Sequence, residues 1–362
     1  MRASFSTQNL LSWYQKSARD LPWRKISDPY KIWISEVMLQ QTTVATVIPY
    51  YERWIKVFPT LESVAQAPIE KILKLWQGLG YYQRAKNVKK TAKIIGNEYG
   101  GKFPRDPQAL KKLPGFGPYT TGAVLSIAFN QPSTIIDANV RRVIMRQLAL
   151  KGFADTSQDK RIKNFLEKRM PAQNSGTFNQ ALMELGAVIC RPKEPVCILC
   201  PIKESCAGYR KGIQELIPEI KPRVINDIEA VIALLKKDDK YFIQKRAPKG
   251  LLADLWEFPG GKVEKGESLI DALNREMREE LNVAVRKAEF VMTLQHFYTQ
   301  YRVHLTAFRC ELDSYPSSDS THRWVSVAQL FQYPMPSGSA KIVDKLLSRA
   351  QGSKSEQQLV FV

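Results

Sequence analysis

The sequence predicts a multidomain protein, all-helical in its first part and α+β in its second. Three observations carry that prediction. At 362 residues the chain has room for two domains of ordinary size. Apolar residues recur at three- and four-residue spacing up to about Gly212, and beyond it the runs turn strand-like. The charge breaks at the same place: of a net +19, +18 lies before Asn226 and +1 from there on.

Helices are expected over 9–17, 30–58, 68–77, 84–99, 120–129, 139–150, 160–170 and 178–189, with Pro and Gly at their ends. The proline-bearing stretch QELIPEIKPR reads as a linker, placed at 213–226. Strands are expected over 228–236, 240–245, 291–297 and 301–310, interrupted by a helix over 269–281 and closed by another near 341–350. The second domain is therefore set at 227–350, and 351–362 is expected to be a flexible tail.

Composition narrows the function. A 44% hydrophobic content excludes a wholly disordered chain. No apolar run reaches the roughly 18–20 residues of a membrane span, so no membrane partner is expected. The N-terminal MRASFSTQNLLSWYQKSARD is amphipathic, with Trp13, and has no cleavable apolar core. A cytoplasmic location is the expectation. Positive charge confined to one domain is the footprint of a polyanionic partner, most simply nucleic acid.

Four of the five cysteines crowd into C-x6-C-x2-C-x5-C, at Cys190, Cys197, Cys200 and Cys206. Without a secretion signal, thiolate ligation of a metal is the leading reading over disulfides. The spacing suits tetrahedral zinc or an iron–sulfur cluster and does not choose between them. Cys310 stands alone in a strand and reads as a core residue.

Residues 113–123 read LPGFGPYTTGA after Lys111 and Lys112. Gly115 and Gly117 permit a tight turn with bare backbone amides, and Pro118 fits a first helical turn. Such amides form a phosphate site without side-chain charge. An ordinary helix–turn–helix corner would read the same way.

Two acids are isolated. Glu36 is the sole charged residue between Lys31 and Glu52, within the apolar KIWISEVMLQQTTVATVIPYYE. A carboxyl in those surroundings should have a raised pKa, which makes it a candidate general acid. Asp137 is the sole charged residue between Lys112 and Arg141, at the start of a helix. It is a natural N-cap, and the helix terminus should keep it ionised. Two carboxyls with opposed pKa shifts suit cleavage of a glycosidic bond through an oxocarbenium-like transition state. On a DNA-binding scaffold, that bond joins base to deoxyribose.

The helical part, with LPGFGPYTTGA, IIDANVRRV and the cysteine set, resembles the endonuclease III (helix-hairpin-helix) superfamily of base-excision glycosylases. WISEVMLQQT and LWQGLGYYQRA resemble its adenine-specific branch, MutY. The resemblance implies a 4Fe-4S cluster on Cys190, Cys197, Cys200 and Cys206. It also implies a six-helix barrel over about 21–130 and a cluster-bearing half from 1–20 plus 131–212. In that branch Glu36 would protonate adenine and Asp137 would stabilise or trap the sugar cation, with Tyr119 and Asn139 aligning them. Gln41 and Tyr81 would enter the stack beside the mispaired base while adenine is flipped out. Trp23, Arg24 and Gln180 would line the pocket. Tyr119 stands where the lyase branch carries a Schiff-base lysine, so base excision without efficient strand cleavage is expected. The implied partner is duplex DNA with adenine opposite 8-oxoguanine or guanine, met by a monomer in a bacterial nucleoid. The rival is a bifunctional pyrimidine-lesion glycosylase/lyase.

Residues 227–350 resemble a Nudix-like domain, which in that branch reads 8-oxoguanine. GKVEKGESLIDALNREMREELNV is a nearly complete Nudix box, with Asn282 where glycine is usual. Glu276, Glu279 and Glu280 share one helical face and could hold Mg²⁺ if the box is active. An inherited scaffold with a solvated acidic face is the favoured reading, and nucleoside-triphosphate pyrophosphohydrolysis is the alternative. The branch's Phe-Ser-His loop aligns with Tyr298, Thr299 and Gln300.

Overall fold

The computed structural model describes residues 4–222, 225–298 and 300–358, without the side chains of Tyr298 and of 349–358. The chain divides into two compact units. One comprises Met1–Ala67 with Lys86–Pro222, the other Pro68–Ala85 with Arg223–Val362.

The first half of the chain runs through α1 (Thr7–Ser17), α2 (Pro29–Leu39), α3 (Val44–Val57), α4 (Leu61–Gln66), α5 (Ile69–Trp76) and α6 (Gln83–Glu98). It continues with α7 (Pro107–Lys112), α8 (Pro118–Ala123), α9 (Ala138–Leu148), α10 (Asp159–Glu167), α11 (Ser175–Val188) and the short α12 (Ala207–Arg210). The single helix expected over 30–58 is two. Thr43 accepts a hydrogen bond from the Thr46 amide and caps α3, while Gln41 turns to φ +59° between them. The helix expected over 120–129 begins at Pro118 and widens into a π-helical turn over Val124–Ala128. Ala149 ends α9 in the left-handed region at φ +50°.

α2 starts on Asp28, whose carboxylate accepts from the Tyr30 and Lys31 amides, with Pro29 in the first turn. Residues Ile32 to Met38 are all buried, so the helix is enclosed on every side. A second core joins Leu10 and Tyr14 of α1 to Val143 and Ile144 of α9 and to Phe178, Leu182 and Leu185 of α11. Ile217, within the expected linker, is buried in that core, and its carbonyl accepts from Arg146 Nε at 2.7 Å. The first half of that stretch is therefore built into the helical unit.

The second unit is a six-stranded sheet of β1 (Asn226–Lys237), β2 (Lys240–Lys245), β3 (Trp256–Glu257), β4 (Val285–Tyr298), β5 (Tyr301–Leu312) and β6 (His322–Ser326). Its order is β3-β2-β1-β5-β4, with β6 on β2, and β1 and β5 run parallel. Both faces are covered. Val231, Ala233 and Leu235 meet Ala272, Leu273 and Met277 of α13 (Leu269–Leu281). Ile232 and Leu234 share the opposite core with Leu330 of α14 (Val327–Leu330) and with Ile342 and Val343 of α15 (Ser337–Gln358). A strand buried on both sides reads as a continuous apolar run, which is why β1 was legible. β3 and β6 are only two and five residues long and give no such run. Asn282 ends α13 at φ +53°, a conformation asparagine tolerates in glycine's place. α15 runs through Gln358, beyond the end expected near 350 and into the stretch expected as a flexible tail. Among the described residues, no helix is long and apolar enough to cross a membrane.

Candidate active site

Within the helical unit, Glu36, Tyr119, Asp137 and Asn139 line one cavity of about 530 Å³, together with Trp23, Arg24 and Gln180. The two isolated acids thus converge, from α2 and from the start of α9.

Glu36 is buried, and burial pushes its carboxyl up to about 7, with the nearby Asp137 charge adding to the rise. Tyr119 O–H donates to Glu36 Oε2 at 2.5 Å and pulls the other way. Burial and the two acids hold the Tyr119 phenol well above its ordinary range, so it stays a donor. Glu36 is therefore protonated in a substantial fraction near neutral pH.

Asp137 caps α9: Oδ1 accepts from the Val140 amide at 2.6 Å and Oδ2 from Asn139 Nδ2 at 3.0 Å. The expectation of opposed shifts is corrected here. Burial raises the Asp137 carboxyl as well, and the bonds from Val140 and Asn139 only offset part of that rise. What distinguishes the two acids is their partners: a phenol on Glu36, a helix start and a fixed amide on Asp137. Asn139 is itself clamped, its Oδ1 accepting from Arg142 Nη2 at 2.8 Å. Arg142 also donates to the Gly186 and Cys190 carbonyls, both at 2.8 Å.

The pocket floor contains a residue that the sequence reading missed. Glu184 of α11 is buried and accepts from Arg19 Nε and Nη2, both at 2.8 Å, and from Arg24 Nη2 at 2.7 Å. Those arginines hold its carboxyl at about 2 despite burial. Arg24 also lies over the Tyr14 ring, and Tyr14 O–H donates to Gln180 Oε1 at 2.7 Å. Glu184 is the sole charged residue between Arg169 and Arg191, the same signal that marked Glu36.

In the expected phosphate hairpin, Gly115 sits at φ +82°, where a Cβ would come within 3.1 Å of Asn87 Cβ. Gly117 has an ordinary φ of −83° and is the N-cap of α8, with open space where a side chain would stand. Only Gly115 needs glycine's conformational freedom. Gln41 is exposed in the turn between α2 and α3. Tyr81 belongs to the second unit, where it is 39% exposed at φ +47°.

Cys190, Cys197, Cys200 and Cys206 line one small cavity with Val143, Leu185 and Ile202. Arg146, almost fully buried, donates to Cys190 Sγ at 3.3 Å and to the Arg191 and Pro192 carbonyls. Burial pushes the Cys200 thiol up to about 12 and raises Cys197 and Cys206 as well. Cys310 is buried in the sheet, as expected. Among the described residues, no three His, Cys, Asp or Glu side chains are grouped to hold a single metal ion.

In the second unit, the Nudix-box acids are engaged by protein donors. Arg275 binds Glu276 at 2.9 Å and the exposed Glu279 at 3.2 Å, while Glu280 accepts from Gln244 Nε2 and the Gly260 amide. Glu257, unremarked in the sequence, is pushed up to about 7 by burial and by the charges of Glu280 and Glu276. Of the expected lesion-reading triplet, Gln300 is exposed in the β4–β5 turn, and its carbonyl accepts from the Asn226 amide. Thr299 and the Tyr298 side chain lie outside the described residues.

Comparison with known proteins is consistent with both units. Residues 34–172 match the HhH-GPD superfamily of base excision DNA repair proteins, and residues 230–345 match the NUDIX domain family. The chain is 33% identical over 344 residues to the adenine DNA glycosylase of Buchnera aphidicola subsp. Schizaphis graminum, covering 93% of this chain and 97% of that protein. It is 30% identical to the adenine DNA glycosylase of Mus musculus, covering 96% and 78%. A solved thermostable thymine-DNA glycosylase is 32% identical, with a TM-score of 0.51, over 57% of this chain and 95% of that one.

Proposed function

Because the chain belongs to the adenine DNA glycosylase family, we propose that it excises adenine mispaired with 8-oxoguanine, and with guanine, from duplex DNA. The observation that carries this reading is the convergence of Glu36 and Asp137 on one cavity large enough for an extruded base. Protonated Glu36 gives its proton to the flipped adenine, making the base a better leaving group. Asp137, aligned by Asn139 and Val140, supplies the negative charge that stabilises or traps the sugar cation. Trp23, Arg24 and Gln180 bound the base, and the Glu184 carboxylate holds Arg24 in place. The helical unit's positive charge and the Gly115–Gly117 hairpin bind the phosphodiester backbone. Gln41 and Tyr81 fill the stack beside the mispaired base, and Tyr298, Thr299 and Gln300 read the opposite base.

Four cysteines lining one small cavity, with buried Arg146 donating to Cys190 Sγ, support a 4Fe-4S cluster that Cys190, Cys197, Cys200 and Cys206 would hold as thiolates. Bound there, it would tie the segment just after α11 to the loops before α12.

Single-turnover base release from duplexes with adenine opposite 8-oxoguanine, guanine or thymine tests the assignment. Release from the first two is expected. If cluster-loaded protein leaves all three intact, the assignment is wrong. High-yield borohydride trapping of a DNA adduct would favour the lyase reading instead. A second reading is Mg²⁺-dependent nucleotide hydrolysis by the Nudix-like unit, supported by Glu276 and Glu280 lying near enough to raise the Glu257 carboxyl, with Arg246 and Arg275 paired to Glu257 and Glu276. Pyrophosphate release abolished by Glu279→Gln but unaffected by Glu36→Gln would establish it.

A further inference from the structure

The segment 68–85 is compact with the sheet unit rather than with the helices that flank it in sequence. Helix α5 is anchored at both ends. Near its start, Glu70 Oε1 accepts from Lys245 Nζ at 2.9 Å and from Trp256 Nε1 at 3.1 Å. At its end, Lys74 Nζ donates to the Tyr333 carbonyl at 3.2 Å, and Gln77 Oε1 accepts from the Met335 amide at 3.0 Å. Just beyond, buried Tyr82 O–H donates to the Met335 carbonyl at 3.2 Å. These bonds bracket a loop whose backbone is tightly specified: Gly78, Gly80 and Tyr81 stand at φ +103°, +71° and +47°. Within the loop, Trp76 Nε1 and Arg84 both donate to the Gly80 carbonyl. Tyr81 and Tyr82 line a cavity of about 690 Å³ whose other wall includes Phe297 and Tyr301. Phe297 and Tyr301 flank the β4–β5 turn that carries Gln300.

We propose that Glu70, Gln77 and Tyr82 are positioning residues that seat the Tyr81 loop on the Nudix-like sheet, so that Tyr81 and the β4–β5 turn at Gln300 probe the opposite base as one rigid body. The proposal rests on the reading above that Tyr81 enters the duplex. Its consequence is that a contact made by the turn with the opposite base bears on the placement of Tyr81, with no separate signal between them. Discrimination between 8-oxoguanine and guanine is then a property of the seat as well as of the turn.

The test uses the full-length, cluster-loaded chain with Glu70→Ala, Gln77→Ala and the milder Tyr82→Phe, which removes one hydroxyl and keeps the fold safe. Two readouts are taken: the ratio of single-turnover rates on adenine:8-oxoguanine and adenine:guanine duplexes, and the fluorescence of 2-aminopurine placed beside the opposite base. The Glu70→Ala, Gln77→Ala double variant is expected to lower the ratio by about tenfold and to change the 2-aminopurine signal as Tyr81→Ala does. Glu70→Gln, which keeps an acceptor, should recover most of the loss. In a Tyr81→Ala background the seat variants should cost nothing further. An unchanged ratio and signal, or losses that add fully to Tyr81→Ala, would overturn the proposal. The fluorescence arm reads loop seating without base release, so an inactive wild-type protein would count against the proposed reaction and leave the seat still tested.

Discussion

Tyr119 O–H donates to Glu36 Oε2 at 2.5 Å, so the hydroxyl of one helix moderates the acidity of a buried carboxyl on another. Because this bond stabilises the ionised carboxylate, it opposes the burial that raises Glu36 to about 7. Excision should fall as pH rises through about 7, where Glu36 loses its proton. Tyr119→Phe removes only the donor, so the alkaline limb of the single-turnover pH–rate profile should move upward. A limb that stays in place would show that Glu36 is not the group titrating.

The same raised pKa has a consequence for stability. Glu36 binds its proton more tightly in the folded state, rising from 4.5 to about 7. Its folded-state contribution is therefore complete below the unfolded pKa and is lost as pH rises through about 7. Glu36→Gln removes the buried charge and keeps the shape. At pH 8 the variant should be more stable by on the order of 3 kcal/mol while losing excision. Denaturant midpoints at pH 5 and pH 8 check this, since the gain should shrink at the lower pH.

Substitution can separate the cap that Asp137 makes from the catalytic role proposed for it. Asp137→Asn keeps an oxygen for the Val140 amide, so folding and duplex binding should persist while base release is abolished. Asp137→Ala loses the cap as well and should cost about 1 kcal/mol of stability. Thermal melts and filter binding of both variants, alongside excision, distinguish capping from chemistry. Equal melts for the two would deny the cap.

How far the sequence discloses this site depends on the kind of signal. Glu36 and Asp137 are lone charges in apolar runs, and the cysteine spacing is local, so all could be read without a fold. Glu184 carries the same lone-acid mark but passes unnoticed because its meaning depends on Arg19 and Arg24, more than 150 residues away. The seat of α5 on Lys245, Trp256 and Met335 is likewise long-range, and no periodicity encodes which partner a helix end will choose. The Asp137 carboxyl departs from the sequence expectation for a related reason. The helix start is visible in sequence, whereas the burial that outweighs it belongs to the assembled cavity.

The approach of α11 to α9 gives the last prediction. A Cβ on Gly186 would lie 2.6 Å from Asn139 Cβ and 3.1 Å from its Cα, so no side chain fits without moving the start of α9. Asn139 holds Asp137 Oδ2 through its amide and is itself held by Arg142, which also binds the Gly186 carbonyl. Gly186→Ala should therefore displace the Asp137 carboxylate at its source while leaving the hairpin at Gly115 untouched. Single-turnover excision should fall by roughly 10- to 100-fold, as expected when reacting groups are misplaced by a fraction of an ångström to an ångström. Duplex affinity should stay within about threefold, a change worth less than 1 kcal/mol. Gly96→Ala, on an exposed face with open space for a methyl group, serves as the control and should change neither quantity. Equal loss of binding and excision in Gly186→Ala would mean that the substitution unfolds the helix pair, and Asn139 would then have no demonstrated part in aligning Asp137.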